Sequence, residues 1–129
     1  MSSTNVRIPE RMLPLSALAG AVQVVSGPVL RLDGEGDAAR PKENAAFPGR
    51  QAYRLTVEVV AGQRTKTLPD GSEASVYDLR TETVTVWTDS GAPACQPGDY
   101  VVLRGLMAGA MERGWYLWAL AVEKLEAKR

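Results

Sequence analysis

The side chains best equipped for chemistry are Trp87 and Trp115, together with arginines dispersed through alternating apolar segments; Trp118, two residues from Tyr116 and next to Leu117, reads as core or interface. Flat aromatic rings offer stacking faces and guanidinium groups hold anions, the ingredients of a binding surface. Catalysis, by contrast, lacks its usual parts. The 129 residues contain no His and one Cys, which excludes a Ser-His-Asp triad, a Cys-His dyad, a His-ligated metal and an internal disulfide. Cys95 follows Pro93-Ala94 with no basic neighbour, so it reads as a small buried residue rather than a nucleophile. Asp33-Gly34-Glu35-Gly36-Asp37 places oxygens at alternate positions like a calcium loop. Pro41 interrupts that pattern, and the bidentate Glu at the twelfth position is missing. No Gly-Lys-Ser/Thr follows Gly34-Glu35-Gly36, so it is no phosphate loop. A non-enzymatic protein without metal or cofactor is expected.

Charge sets a limit on any anionic partner. Fifteen basic and fifteen acidic residues cancel, so no global field draws in nucleic acid or membrane. Residues 50–104 hold six basic and seven acidic groups, so recognition would rest on local placement. No apolar run approaches the ~18 residues that span a bilayer. Arg7 and Arg11 ahead of Met12–Ala21 outline a signal peptide, but Glu10 and Pro14 break it and one unpaired Cys suits no secreted scaffold. The expectation is a cytoplasmic protein with no membrane partner.

The elements that must position these residues are strands. Residues 22–32 are rich in β-branched side chains and bend at Gly27-Pro28, because Pro donates no ladder hydrogen bond and Gly tolerates a bulge. A long polar loop, 33–50, follows. Residues 51–60 alternate, with Tyr53, Leu55, Val57 and Val59 on one face and Arg54, Thr56 and Glu58 on the other. Pro69-Asp70-Gly71-Ser72 is a turn, and residues 76–88 form the return strand of a long hairpin. A short strand at 100–106, a connection at 107–114 and a last strand from 115 complete the chain. Five strands and little helix are expected, in an all-β barrel that leaves no exposed edge.

Pro97-Gly98-Asp99-Tyr100-Val101-Val102-Leu103-Arg104-Gly105-Leu106 resembles the fourth strand of OB-fold proteins. The run Leu117–Leu125 resembles the closing fifth strand, and Val24-Val25-Ser26-Gly27-Pro28-Val29 the bent first strand. With the 51–88 hairpin, the order of elements is similar to that of bacterial single-stranded-DNA-binding proteins. The resemblance divides the chain into a lead-in at 1–21, an OB-fold-like domain at 22–125 and a tail at 126–129. It implies a five-stranded OB-fold-like barrel with a long hairpin between its second and third strands. Two departures mark a divergent relative: 89–99 is too short for the helix usually found there, and the tail is basic where the family's is acidic.

The resemblance implies a homo-oligomer that binds single-stranded DNA, or RNA, on the outer face of the barrel. Trp87 would point outward if Val84 and Val86 point inward, and Trp115 would flank the loop before the last strand. Arg54, Arg80 and Arg104 would form a basic stripe, joined by Arg64 and Lys66 in the hairpin loop and Arg113 before the last strand. The same aromatics could cap the barrel end or line a subunit interface. The arginines could simply pair with Glu58 or Glu82. The alternative is therefore a protein-interaction or oligomerisation module on the same fold.

Overall fold

The computed structural model describes residues 15–112 and 114–126. Among the described residues one short α-helix, α1 (Leu15–Ala19), precedes nine strands: β1 (Ala21–Leu30), β2 (Leu32–Asp33), β3 (Arg40–Pro41), β4 (Gln51–Thr67), β5 (Glu73–Thr88), β6 (Tyr100–Arg104), β7 (Met107–Met111), β8 (Gly114–Ala119) and β9 (Ala121–Lys124). The all-β class stands, but the strand count does not. Seven strands form one mixed sheet in the order β7-β8-β5-β4-β1-β6-β9, in place of the expected five-stranded barrel; β2 and β3 make a separate ribbon. The expected connection at 107–114 is largely strand, because Met107–Met111 folds back on β8 as a hairpin. The last strand is broken at Leu120, whose N–H bonds the Arg104 carbonyl at 2.8 Å. On one side of that break β8 runs parallel to β5; on the other β9 runs antiparallel to β6. Ala119 and Ala121 are two residues apart, so they lie within about 7.6 Å. The segment 114–124 therefore ties the β5 side of the sheet to its β6 end, and the sheet must curl.

Alternation sorts the sheet into two faces. Antiparallel partners share a face, so the pairs Leu55↔Val84 and Tyr53↔Val86 define an inner face, while Ala52↔Trp87 and Arg54↔Thr85 define an outer one. The inner face is the core: Val22, Val24, Leu55, Val57, Val84, Val86, Val101, Leu103 and Ala119 are buried, and Leu18 of α1 joins them. Burying a side chain such as Leu18 contributes roughly 1.5–3 kcal/mol. The core thus reaches upstream of the expected boundary at residue 22. Residues 1–14 of the expected lead-in and 127–129 of the tail lie outside the described residues.

β1 is bent where expected. Its register on β4 shifts between Val24 and Ser26 and again between Ser26 and Val29. Gly27 has φ 91°, and a Cβ there would come within 2.5 Å of the Arg54 carbonyl oxygen. Only glycine meets both demands.

The β4–β5 hairpin is longer than expected. Strand pairing runs on to Thr67↔Glu73, so Arg64 and Lys66 belong to strand β4 and not to a loop. The turn is the expected one at its tip: Leu68 N–H bonds Ser72 O at 2.7 Å, and the Asp70 carboxylate accepts from the Ser72 N–H and hydroxyl. Those bonds hold the exposed Asp70 carboxyl below its ordinary pKa. Beyond Glu58, β1 no longer covers β4, and the hairpin continues as an arm interrupted by a bulge between Val60 and Gly62.

Candidate nucleic-acid interface

Outward orientation and exposure part company at Trp87. It does point away from Val84 and Val86, as alternation requires, yet it is 0% exposed. The expectation of a free stacking face is corrected, for a local reason. Phe47, the one aromatic in the long polar loop, folds down on it with ring centroids 5.5 Å apart and a 29° interplanar angle. Trp118 meets both rings edge-on, at 5.4 Å from Phe47 and 5.7 Å from Trp87, and Tyr116 lies 4.6 Å from Trp118. Such pairs contribute ~0.5–1.5 kcal/mol beyond area burial. Among the described residues the buried Trp87 Nε1–H finds no hydrogen-bond partner. Arg50 clamps the base of this loop, donating to Trp87 O at 3.0 Å and lying 4.0 Å from Asp89.

The expected arginine stripe is dispersed. Arg54 is exposed on the outer face opposite Thr85, and among the described residues no hydrogen bond or ion pair holds it. Arg80 is opposite Val59 and so belongs to the inner face, as do Arg64 and Lys66 along the arm, opposite Val76 and Ala74. Arg64 pairs with Asp78 at 3.5 Å. Arg104 is bound to Glu123, its Nε donating at 2.9 Å, an exposed pairing of the kind worth ~0–1 kcal/mol. It also lies at the other end of β1 from Arg54: Val29 pairs with Arg54, whereas Ala21 pairs with Val102. Trp115 is half exposed at the start of β8, opposite Ala110 on β7. Arg113 lies outside the described residues.

Four contributors escaped the sequence reading. Arg31 reaches the outer face beside Ala52, with its backbone N–H bonded to Ala52 O at 2.8 Å and its Nη1 donating to Thr85 Oγ1 at 2.8 Å. Period two from Val29 places it there. Tyr77 and Leu79 continue the outer face along the arm, each 55% exposed, and Leu79 sits opposite the exposed Val60. The alternation Tyr77, Leu79, Thr81, Thr83 carried that signal. Phe47 had none, since its role depends on where a loop lands.

The outer face of β4–β5 thus has an aromatic cluster at one end, Tyr77 at the other, and Arg31, Arg54, Thr56, Glu58, Thr81 and Thr83 between; the Glu58 carboxylate, opposite Thr81, opposes an anion on the Tyr77 side of Arg54. Thr85 and Tyr77 are eight residues apart on β5, about 26 Å. Flat rings with cations between them can hold a flexible polyanion carrying aromatic bases. Acid–base chemistry has little here. Among the described residues no group of three or more Cys, Asp or Glu could hold a metal ion. Cys95 is half-buried, and desolvation, followed by the nearby Asp99 carboxylate, pushes its thiol pKa up. Among the described residues no helix is long and apolar enough to cross a membrane. No family model matches the chain, and neither a curated protein nor a solved structure matches it.

Proposed function

We propose that this chain is an OB-fold-like protein that binds single-stranded DNA non-enzymatically and with low sequence specificity along the outer face of β4–β5. The architectural part is supported by the circuit of pairings: β1 with β4, β4 with β5, β5 with β8 in parallel, β9 with β6, and β6 back to β1. In this reading β8 and β9 act as one strand interrupted at Leu120. The functional part is carried by one observation. Among the described residues nothing bonds the Arg54 guanidinium, which stands with Thr56, Glu58, Thr81 and Thr83 on the face between the Phe47–Trp87–Trp118 cluster and the exposed Tyr77. The bases would stack on Tyr77 and on the accessible edge of the cluster at Trp118, with Arg31 and Arg54 on the phosphates; Trp115, on the Leu117 side of β8, takes no part on this face. A single-stranded RNA offers the same rings and phosphates. Such a protein would work in the cytoplasm, where single strands are exposed.

The test is intrinsic tryptophan fluorescence during titration with oligo-thymidine at several salt concentrations. Quenching that weakens with salt is expected. Arg54→Ala should weaken binding and flatten the log–log salt dependence by about 0.7, the slope for one phosphate on a single strand. Tyr77→Ala should cost ~1–3 kcal/mol of binding. Absence of any quenching at low salt by the folded protein would overturn the reading. The alternative, a protein-interaction module, is favoured by a separate observation: Val60, Tyr77 and Leu79 form an exposed apolar patch on the arm. Binding that is unaffected by Arg54→Ala and by salt would support it.

A further inference from the structure

The arm of the hairpin leaves a long strand edge unpaired. β5 is bonded to β4 throughout, but on its other side, among the described residues, β8 pairs with it at Thr85 and Val86 alone. Among the described residues no strand pairs with the outer edge of residues 73–83. An exposed edge carrying large apolar side chains is a template for another strand, and this one carries Tyr77 and Leu79. The opposite edge of the arm, residues 59–67 of β4, differs in two ways. It is interrupted by the bulge at Val60–Gly62, and its only charges are Arg64 and Lys66, so two copies would bring like charges together.

We infer that the β5 arm edge pairs antiparallel with the same edge of a second copy, about a two-fold axis at Leu79. Charge complementarity selects both the occupant and the register. With the axis perpendicular to the sheet, outer-face residues meet outer-face residues. Centred on Leu79, the register places Leu79 against Leu79, Tyr77 against Thr81 of the second copy, and Asp78 against its Arg80, the last two contacts occurring twice. Centred on Asp78, it would oppose two aspartates. Centred on Arg80, it would oppose two arginines and set Asp78 against Glu82. A centre at Tyr77 makes no opposite-charge pair. A centre at Thr81 joins Arg80 to Glu82, but β8 already occupies Thr85, which shortens that ladder to residues 79–83. The Leu79 centre runs from 75 to 83. Cross-strand ion pairs and apolar pairs of this kind are the unit of sheet stabilisation, and like charges directly opposite are destabilising. The pairing would join two outer β4–β5 faces into one continuous surface. It uses backbone edges and leaves Arg54 and the aromatic cluster uncovered.

Sedimentation equilibrium without nucleic acid tests the pairing apart from any DNA binding. The wild-type chain is expected at twice its 13.9 kDa mass. Asp78→Arg and Arg80→Asp should each weaken the dimer tenfold or more, since each loses two attractions and gains two repulsions, with about 1.4 kcal/mol per tenfold change. The double reversal should restore it, and Arg64→Ala, which removes the partner Asp78 has within its own chain, should leave the dimer intact, so the intermolecular contact is read apart from that local pair. In a Cys95→Ser background, Leu79→Cys should be captured as a covalent dimer by a short bis-maleimide. Tyr77→Cys should not, because the two copies of that position stand about 14 Å apart along the strands. A protein monomeric at every concentration overturns the inference. So does a dimer indifferent to both charge reversals and not captured through Leu79→Cys.

Discussion

Replacing Trp87 separates a stacking platform from a structural keystone. The ring is fully buried beneath Phe47 and beside Trp118. Trp87→Ala removes the centre of that cluster and leaves a cavity that Ala52, its small cross-strand partner, cannot fill. Large aromatic truncations in cores cost about 3–5 kcal/mol, a large share of the roughly 5–15 kcal/mol by which domains are stable. Trp87→Phe is the informative companion. It keeps a ring against Phe47 and deletes the unpartnered Nε1–H, a group whose burial costs ~1–3 kcal/mol. That relief offsets much of the lost ring volume, so a net cost within ~1.5 kcal/mol is expected. Urea unfolding followed by far-ultraviolet circular dichroism gives both values, and emission from Trp115 and Trp118 reports whether the cluster opens. A cost below ~1 kcal/mol for Trp87→Ala, or equal costs for the two variants, would refute the burial reasoning. If it holds, lost oligonucleotide binding in Trp87→Ala reflects unfolding and not the loss of a stacking face.

Two further outcomes follow from local geometry. Gly27→Ala forces a side chain into a φ of 91° and against the Arg54 carbonyl; a loss of ~2 kcal/mol or more is expected in thermal or urea unfolding. Cys95 should react slowly with thiol reagents at mildly alkaline pH and quickly once the chain is unfolded in urea, because burial and then Asp99 disfavour its thiolate. The sign for stability follows from the raised folded-state pKa: the contribution is present while the thiol is protonated in both states and is lost as pH climbs above the ordinary thiol value of 9.0.

Local pattern carried much of the fold. Period-two alternation over 51–60 and 76–88 placed Leu55, Val57, Val59, Val84 and Val86 on one buried face, since a strand that buries one side must repeat its apolar residues every second position. Gly27-Pro28 marked the bend in β1, and Pro69–Ser72 the turn of the hairpin. These are demands that neighbouring residues satisfy among themselves. The absence of His and the scarcity of Cys likewise bounded the chemistry before any fold was known.

Tertiary structure decided what covers what. Facing outward is a property of a strand, whereas exposure depends on elements distant in sequence. Trp87 satisfied the first and lost the second when Phe47, forty residues earlier, folded over it. The arginines show the same division. Their types and parity were legible, but whether they form one stripe depends on strand register. Register put Arg54 on the outer face, Arg64, Lys66 and Arg80 on the inner side of the arm, and Arg104 beyond the far end of β1. Continuing pairing past Glu58 turned an expected loop into an arm, and the hairpin of β7 on β8 added a strand where a connection was expected. The sequence determines which side a residue takes on its own strand. Only the packed chain determines its neighbours, because long-range pairing and loop placement are settled by contacts between segments.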